Sequence, residues 1–232
     1  MKFPAIIDEG TDHETALFPA RIPIDELYKQ RELDPWVFET QYQQNPKPIA
    51  GLLFDEKQTK LFNEIDQYDY IHCQIDPADG GDHCCSVVYG LRDRNVFVLN
   101  IIYTRENSDI SLIDIYNQIE KYRPTTVRVE SNIAWRLYYR MLKEKIAANI
   151  GTIDIYSFNS VGNKEARIYH HHTIIREKFH YLTKDKRTAQ YNEAMRDRHD
   201  YMKMVENQDD GFVDVDTSAC MYFIKNNFID NI

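Results

Sequence analysis

Three apolar, alternating segments in close succession constrain this chain more than any other feature. YIHCQID (70–76), CCSVVYGL (84–91) and NVFVLNIIYT (95–104) each read as a strand. DPADGGDH is a turn-rich break between the first two, and RDRN is a short polar link before the third. Links this short favour antiparallel neighbours, so the three segments predict a meander. The grammar then changes. SDISLIDIYNQIEKY (108–122) is apolar at helical spacing, TTVRVES (125–131) reads as a strand, IAWRLYYRMLKEKIAAN (133–149) as a helix and TIDIYSF (152–158) as a strand. The order β-β-β-α-β-α-β predicts an α/β fold, with a mixed central sheet flanked by helices on both faces. The first three strands are expected to be antiparallel and the later ones parallel.

Two further helical stretches follow, NKEARIYHHHTIIREK (163–178) and RTAQYNEAMRDRHDYMKMV (187–205), then an acidic loop ENQDDGFVDVD (206–216) and a last helix near TSACMYFIKNNF (217–228). The first 62 residues differ from the rest. They hold six of the eight prolines and a helix over IDELYKQREL, followed by a second over DPWVFETQYQQ in which Trp36 and Phe38 form an amphipathic docking face. This pattern predicts an arm or linker over 1–62 and the α/β domain over 63–232.

Several classes of protein are disfavoured. No stretch approaches the roughly 20 apolar residues of a membrane span, and the amino-terminal residues lack a basic start followed by an apolar run. The four cysteines, Cys73, Cys84, Cys85 and Cys220, form neither a repeated CxxC nor a disulfide framework, so the expected location is a reducing cytoplasm. Cys84 and Cys85 should face opposite sides of one strand. A net charge of −9 argues against a nucleic-acid partner, but it hides an asymmetry: residues 136–187 carry +6 and the remainder −15. A basic middle between acidic flanks can set a cationic patch beside a carboxylate cluster; it also fits ordinary solvated helix faces. The run His170-His171-His172 does not suggest a metal site, because consecutive helical positions point apart.

Asp76 ends the first strand of the meander and Glu130 ends the strand TTVRVE. Parallel pairing of these strands would bring both carboxylates to the crevice beyond the strand ends, where like charges repel unless a cation lies between them. Divalent ions such as Mg²⁺ take oxygen ligands, and two of them can activate water and stabilise the leaving oxygen of a phosphodiester. A third acidic group is needed. The loop before the last helix offers Asp209, Asp210, Asp214 and Asp216, and GGDH adds Asp82 as a supporting residue. A plainer reading gives Asp76 a turn and Asp216 a helix N-cap.

Taken together, QIDPADGGDHCCSVV, VRVESN, GNKEARI and NQDDGFVDVDTSA, in that order, resemble the nuclease domain of phage terminase large subunits, and ALFPARIPIDELYKQRELDPWVFETQYQQNP resembles the segment linking the packaging ATPase to that nuclease. The resemblance implies an RNase H-like fold and a metal-dependent endonuclease acting on double-stranded DNA with two Mg²⁺ or Mn²⁺ ions. It implies Asp76 and Glu130 as metal-binding catalytic residues, with Asp82 behind them. Family members commonly carry DDxxDAL before the last helix. Asp209-Asp210 matches the doublet, which implies Asp210 as the third catalytic ligand with Asp209 supporting it, but the spacing after the doublet departs and leaves Asp216 as the alternative. Lys164 and Arg167 in GNKEARI are the implied DNA contacts. The implied partners are DNA, a packaging ATPase domain, the portal and the small terminase subunit. No GxxxxGK[ST] phosphate loop is present, so the expectation is an excised nuclease domain or one served by a separate ATPase. A non-catalytic DNA-binding or assembly module and a junction-resolvase-like nuclease are the competing readings.

Overall fold

The computed structural model describes residues 3–33, 38–44, 53–63, 65, 67–79, 81–131, 135–151, 153–202, 205 and 208–230. The chain divides into two compact units, Met1–Gly51 and Leu52–Ile232.

In the first unit, strands β1 (Ile6–Ile7) and β2 (Thr15–Ala16) pair antiparallel and helix α1 spans Ile24–Leu33. Phe38–Tyr42 forms a π-helical turn; residues 34–37, including Trp36, lie outside the described residues. Ile6, Ala16, Leu27 and Phe38 make a small core of its own. The Gln43 side chain ties the unit together, accepting from Ile6 N at 3.0 Å.

The second unit is built on a seven-stranded sheet of order β3-β9-β6-β5-β4-β7-β8. The strands are β3 (Lys60–Phe62), β4 (Tyr70–Asp76), β5 (Cys84–Arg92), β6 (Asn95–Thr104), β7 (Thr126–Glu130), β8 (Asp154–Phe158) and β9 (Phe179–Leu182). As expected, β4, β5 and β6 form an antiparallel meander, while β7 and β8 add in parallel beyond β4. β5 lies at the centre and is buried over its first eight residues, which explains its unbroken apolar run. Gly90 is required there, because a Cβ would strike the Tyr68 ring.

Helices α2 (Ser108–Tyr122) and α3 (Arg136–Asn149) cover one face, packing with Cys84 and Val88. On the other face lie α4 (Lys164–Lys178), α5 (Ala189–Asp200) and α6 (Gly211–Lys225), whose core includes Cys85 and Val87. The two adjacent cysteines therefore belong to opposite cores, as strand alternation requires, and all four are free and buried. Among the described residues, no helix is long and apolar enough to cross a membrane.

Three differences from the sequence-based expectation matter. The strands β3 and β9 are additions to it; they are three and four residues long and pair in parallel with each other, and β9 also pairs in parallel with β6. Residues 52–62, expected in the arm, fall in the second unit, where β3 adds to the sheet. The last helix begins at Gly211, not near Thr217, so most of the expected acidic loop is helical and its cap position is Asp210.

Candidate metal centre

The parallel register of β4 and β7 sets Ile75 beside Val129, which brings the next residues, Asp76 and Glu130, side by side at the carboxyl ends of their strands. The third carboxylate at this place is Asp214, from the first turn of α6. One oxygen from each of Asp76, Glu130 and Asp214 lies within 4.8 Å of the others, a spacing that suits a divalent ion bound by hard oxygen donors.

Helix α4 supplies the opposing charge. Asn163 caps it by accepting from Ala166 N, and its first turn presents Lys164 and Arg167 three residues apart on one face. Lys164 Nζ donates to Asp210 Oδ1 at 2.6 Å and stands 3.8 Å from Asp214 Oδ2. Arg167 Nη2 donates to Asp214 Oδ1 at 3.0 Å and to Oδ2 at 3.3 Å. Both cations expected to touch DNA are thus turned toward the acidic start of α6. Asp210 lies one helical turn before Asp214 and is matched by Lys164, so it sits beside the three-carboxylate group and not within it.

The other candidates separate cleanly. Asp216 lies apart from the three-carboxylate group. It is two residues and about 200° around the helix from Asp214, and it points into the core. There it is 1% exposed, accepts from Tyr89 Oη at 2.8 Å and Tyr181 Oη at 2.7 Å, and faces Arg198 Nε at 3.8 Å. Asp209 also points elsewhere, to a second cluster with His83 and Asp197, where Arg105 Nη2 donates to it at 2.7 Å. Asp82 is exposed and belongs to neither cluster.

Burial is the main cause that pushes Asp76 from 3.8 up to about 7, and the like charges of Glu130 and Asp214 add to it. Asp214 is also raised by burial, against the pull of Lys164 and Arg167. Burial works against the charge of Lys164, yet Asp210, Asp214 and Asp76 outweigh it and hold the ammonium above its ordinary value. The site is therefore short of positive charge even with its two cations in place. A pH dependence follows. Between about pH 4 and 7 the folded metal-free chain keeps a proton on Asp76 that the unfolded chain has released, so stability should fall by a few kcal/mol as pH rises through that window. Urea unfolding in EDTA at about pH 5 and about pH 8 measures this, and Mn²⁺ should restore stability at the higher pH.

An α/β sheet of this topology, with carboxylates gathered at the ends of neighbouring parallel strands, is the RNase H-like class of fold. Residues 75–180 match the family model described as Terminase Bacteriophage T7, Ribonuclease H-like domain. Two solved structures share the fold. The large terminase of a thermophilic bacteriophage superposes with a TM-score of 0.58 at 15% identity, covering 94% of this chain and 54% of that one. The nuclease domain of the human cytomegalovirus terminase gives a TM-score of 0.53 at 10% identity, covering 74% of this chain and 95% of that one. The chain thus spans about half the length of the phage large terminase it matches. No curated protein sequence matches it.

Proposed function

We propose that the chain is a metal-dependent endodeoxyribonuclease of a phage DNA-packaging terminase, cutting duplex DNA with little sequence preference. The convergence of Asp76, Glu130 and Asp214 at the strand ends carries this reading, since three crowded carboxylates with one raised to about 7 are best stabilised by bound cations. Asp76, Glu130 and Asp214 would hold two Mg²⁺ or Mn²⁺ ions, which when bound activate water and offset charge on the leaving oxygen of the phosphodiester. The Mn-soaked structure of the cytomegalovirus nuclease domain supports the choice of ion.

Around the ions, the protein's own groups have distinct tasks. Lys164 and Arg167 hold the third carboxylate in place and balance part of its charge. Lys164, 40% exposed, can also meet a phosphate oxygen entering the site, whereas Arg167, at 12%, is largely committed to Asp214. A packaging ATPase domain, the portal and the small terminase subunit are the partners this assignment brings with it.

The irregular spacing after Asp209-Asp210 is the feature that favours a non-catalytic assembly module. Asp214, one turn beyond Asp210, supplies the third carboxylate and supports the catalytic reading instead. The test is nicking and linearisation of supercoiled plasmid in Mn²⁺, Mg²⁺ and EDTA. The parent should cut only with metal, and Asp76→Ala should lose at least about a hundredfold of that rate. A parent that cuts no better than Asp76→Ala in either metal overturns the proposal. Equal cutting of linear duplex and four-way junction separates it from a junction resolvase.

A further inference from the structure

A cleft of about 710 Å³ is lined by the end of β8, the residues after it and the second half of α6. Arg167, which holds Asp214, lines it, and so does Lys225, in the last turn of α6. Arg128 of β7 lines it as well. In a chain of net charge −9, no carboxylate among the described residues lines this cleft.

Arg128 is held in an unusual way for a structural arginine. Its guanidinium lies over two rings, Phe158 at 4.0 Å and Tyr222 at 4.6 Å, and its one hydrogen bond among the described residues is a long one, from Nη1 to Gln74 Oε1 at 3.3 Å. Neither Arg128 nor Lys225 forms an ion pair among the described residues. Burial pulls the Arg128 guanidinium below its ordinary value. Two more polar groups at the cleft are buried and have no hydrogen-bond partner among the described residues, Ser160 Oγ and Arg167 Nε. Stacked rings fix the plane of a guanidinium while leaving its N–H edge free, the arrangement that reads the two oxygens of a phosphate.

We propose that this cleft seats the backbone of one DNA strand beside the bond to be cut, with Arg128 clamping one phosphodiester and Lys225 a second further along. The inference rests on the nuclease reading for its choice of polyanion, but its residues lie outside the carboxylate group. Arg128 and Lys225 are positioning residues here: they set where the strand lies, and Arg167 joins their cleft to the metal centre.

The test is fluorescence anisotropy of a labelled DNA duplex bound to the full chain in Ca²⁺, another ion of oxygen-ligand sites, over a range of salt. Arg128→Gln and Lys225→Gln should each weaken binding about tenfold and lower the slope of log Kd against log salt by about 1, as loss of one phosphate contact does. Arg128→Lys should not rescue affinity, because an ammonium lacks the planar fork. Lys143→Gln, on the exposed side of α3 and the opposite face of the sheet, should bind as the parent does. Lys225 is on the surface, so its variant reports on the cleft even where Arg128→Gln unfolds.

Parent-like affinity in Lys225→Gln, an equal loss in Lys143→Gln, or a parent that binds no duplex each overturns the proposal. Binding is read without cutting, so the two readings fail separately. A chain that loses affinity in both variants yet never cuts keeps the cleft and overturns the nuclease. One that cuts while both variants bind normally does the reverse.

Discussion

Asp214→Asn should remove metal-dependent DNA cutting while leaving the fold intact, and Asp210→Asn should reduce it much less. The two residues are one helical turn apart and share Lys164, yet only Asp214 lies with Asp76 and Glu130. A lost ligand oxygen should cost at least about a hundredfold in rate, whereas loss of a group that only orients its neighbours costs about 10-fold to 100-fold. Asp210→Asn also frees Lys164 to turn wholly to Asp214, which preserves the charge balance. Plasmid cleavage in Mn²⁺ over a concentration series measures both effects: Asp214→Asn should not be rescued by excess metal, and Asp210→Asn should be rescued in part. Equal losses in the two variants would move the third ligand back to Asp210.

The second large effect is on stability. Asp216→Ala should destabilise the chain by about 3–5 kcal/mol, because it leaves Arg198 buried without its countercharge. The Tyr89 and Tyr181 hydroxyls lose their acceptor at the same time. Arg198 is 2% exposed and lies over the Phe54 and Tyr181 rings, and its Nε and Nη1 have no hydrogen-bond partner among the described residues. Burial pushes Asp216 up to about 6, partly offset by Arg198 and the two tyrosines. Urea unfolding followed by tyrosine fluorescence reads the loss. An Asp216→Ala chain as stable as the parent would show that the pair contributes nothing to the fold.

These two aspartates mark where the sequence was legible and where it was not. The meander and the parallel additions after it could be read because each strand carries its own apolar pattern and each link its own turn residues. Asp76 and Glu130 were legible for the same reason: both end a strand, and parallel pairing needs no further information to bring them together. The start of α6 was not. FVDVD alternates apolar and acidic residues, which imitates a strand or loop, and Gly211 reads locally as a break. What makes the segment helical is tertiary: Phe212, Val213, Val215, Ala219 and Phe223 all bury against the sheet, and Asp216 finds an arginine and two tyrosines inside the core. An acidic residue facing a core has no signal in a single sequence, so Asp216 resembles a cap there, and Asp214 stands as one of four acidic residues behind the expected Asp210. The i,i+3 pair Lys164 and Arg167 reads as reaching outward to DNA. Its counterpart, the i,i+4 pair Asp210 and Asp214, is recognisable only once the helix start is known. The strands β3 and β9 are too short to carry a pattern and exist because partners are already there.

Two of the three carboxylates stand on neighbouring strands, each paired on both sides within the sheet, but the third hangs from a helix held by two long side chains of another helix. The proposed ligand set would therefore have a stiff half and a compliant half. Its aperture would be set by how α4 grips α6, so that an ion wider than Mg²⁺ would call for a small shift of Asp214 alone, with the sheet unmoved. Anything that leans on α4 from outside would retune the same aperture at a distance.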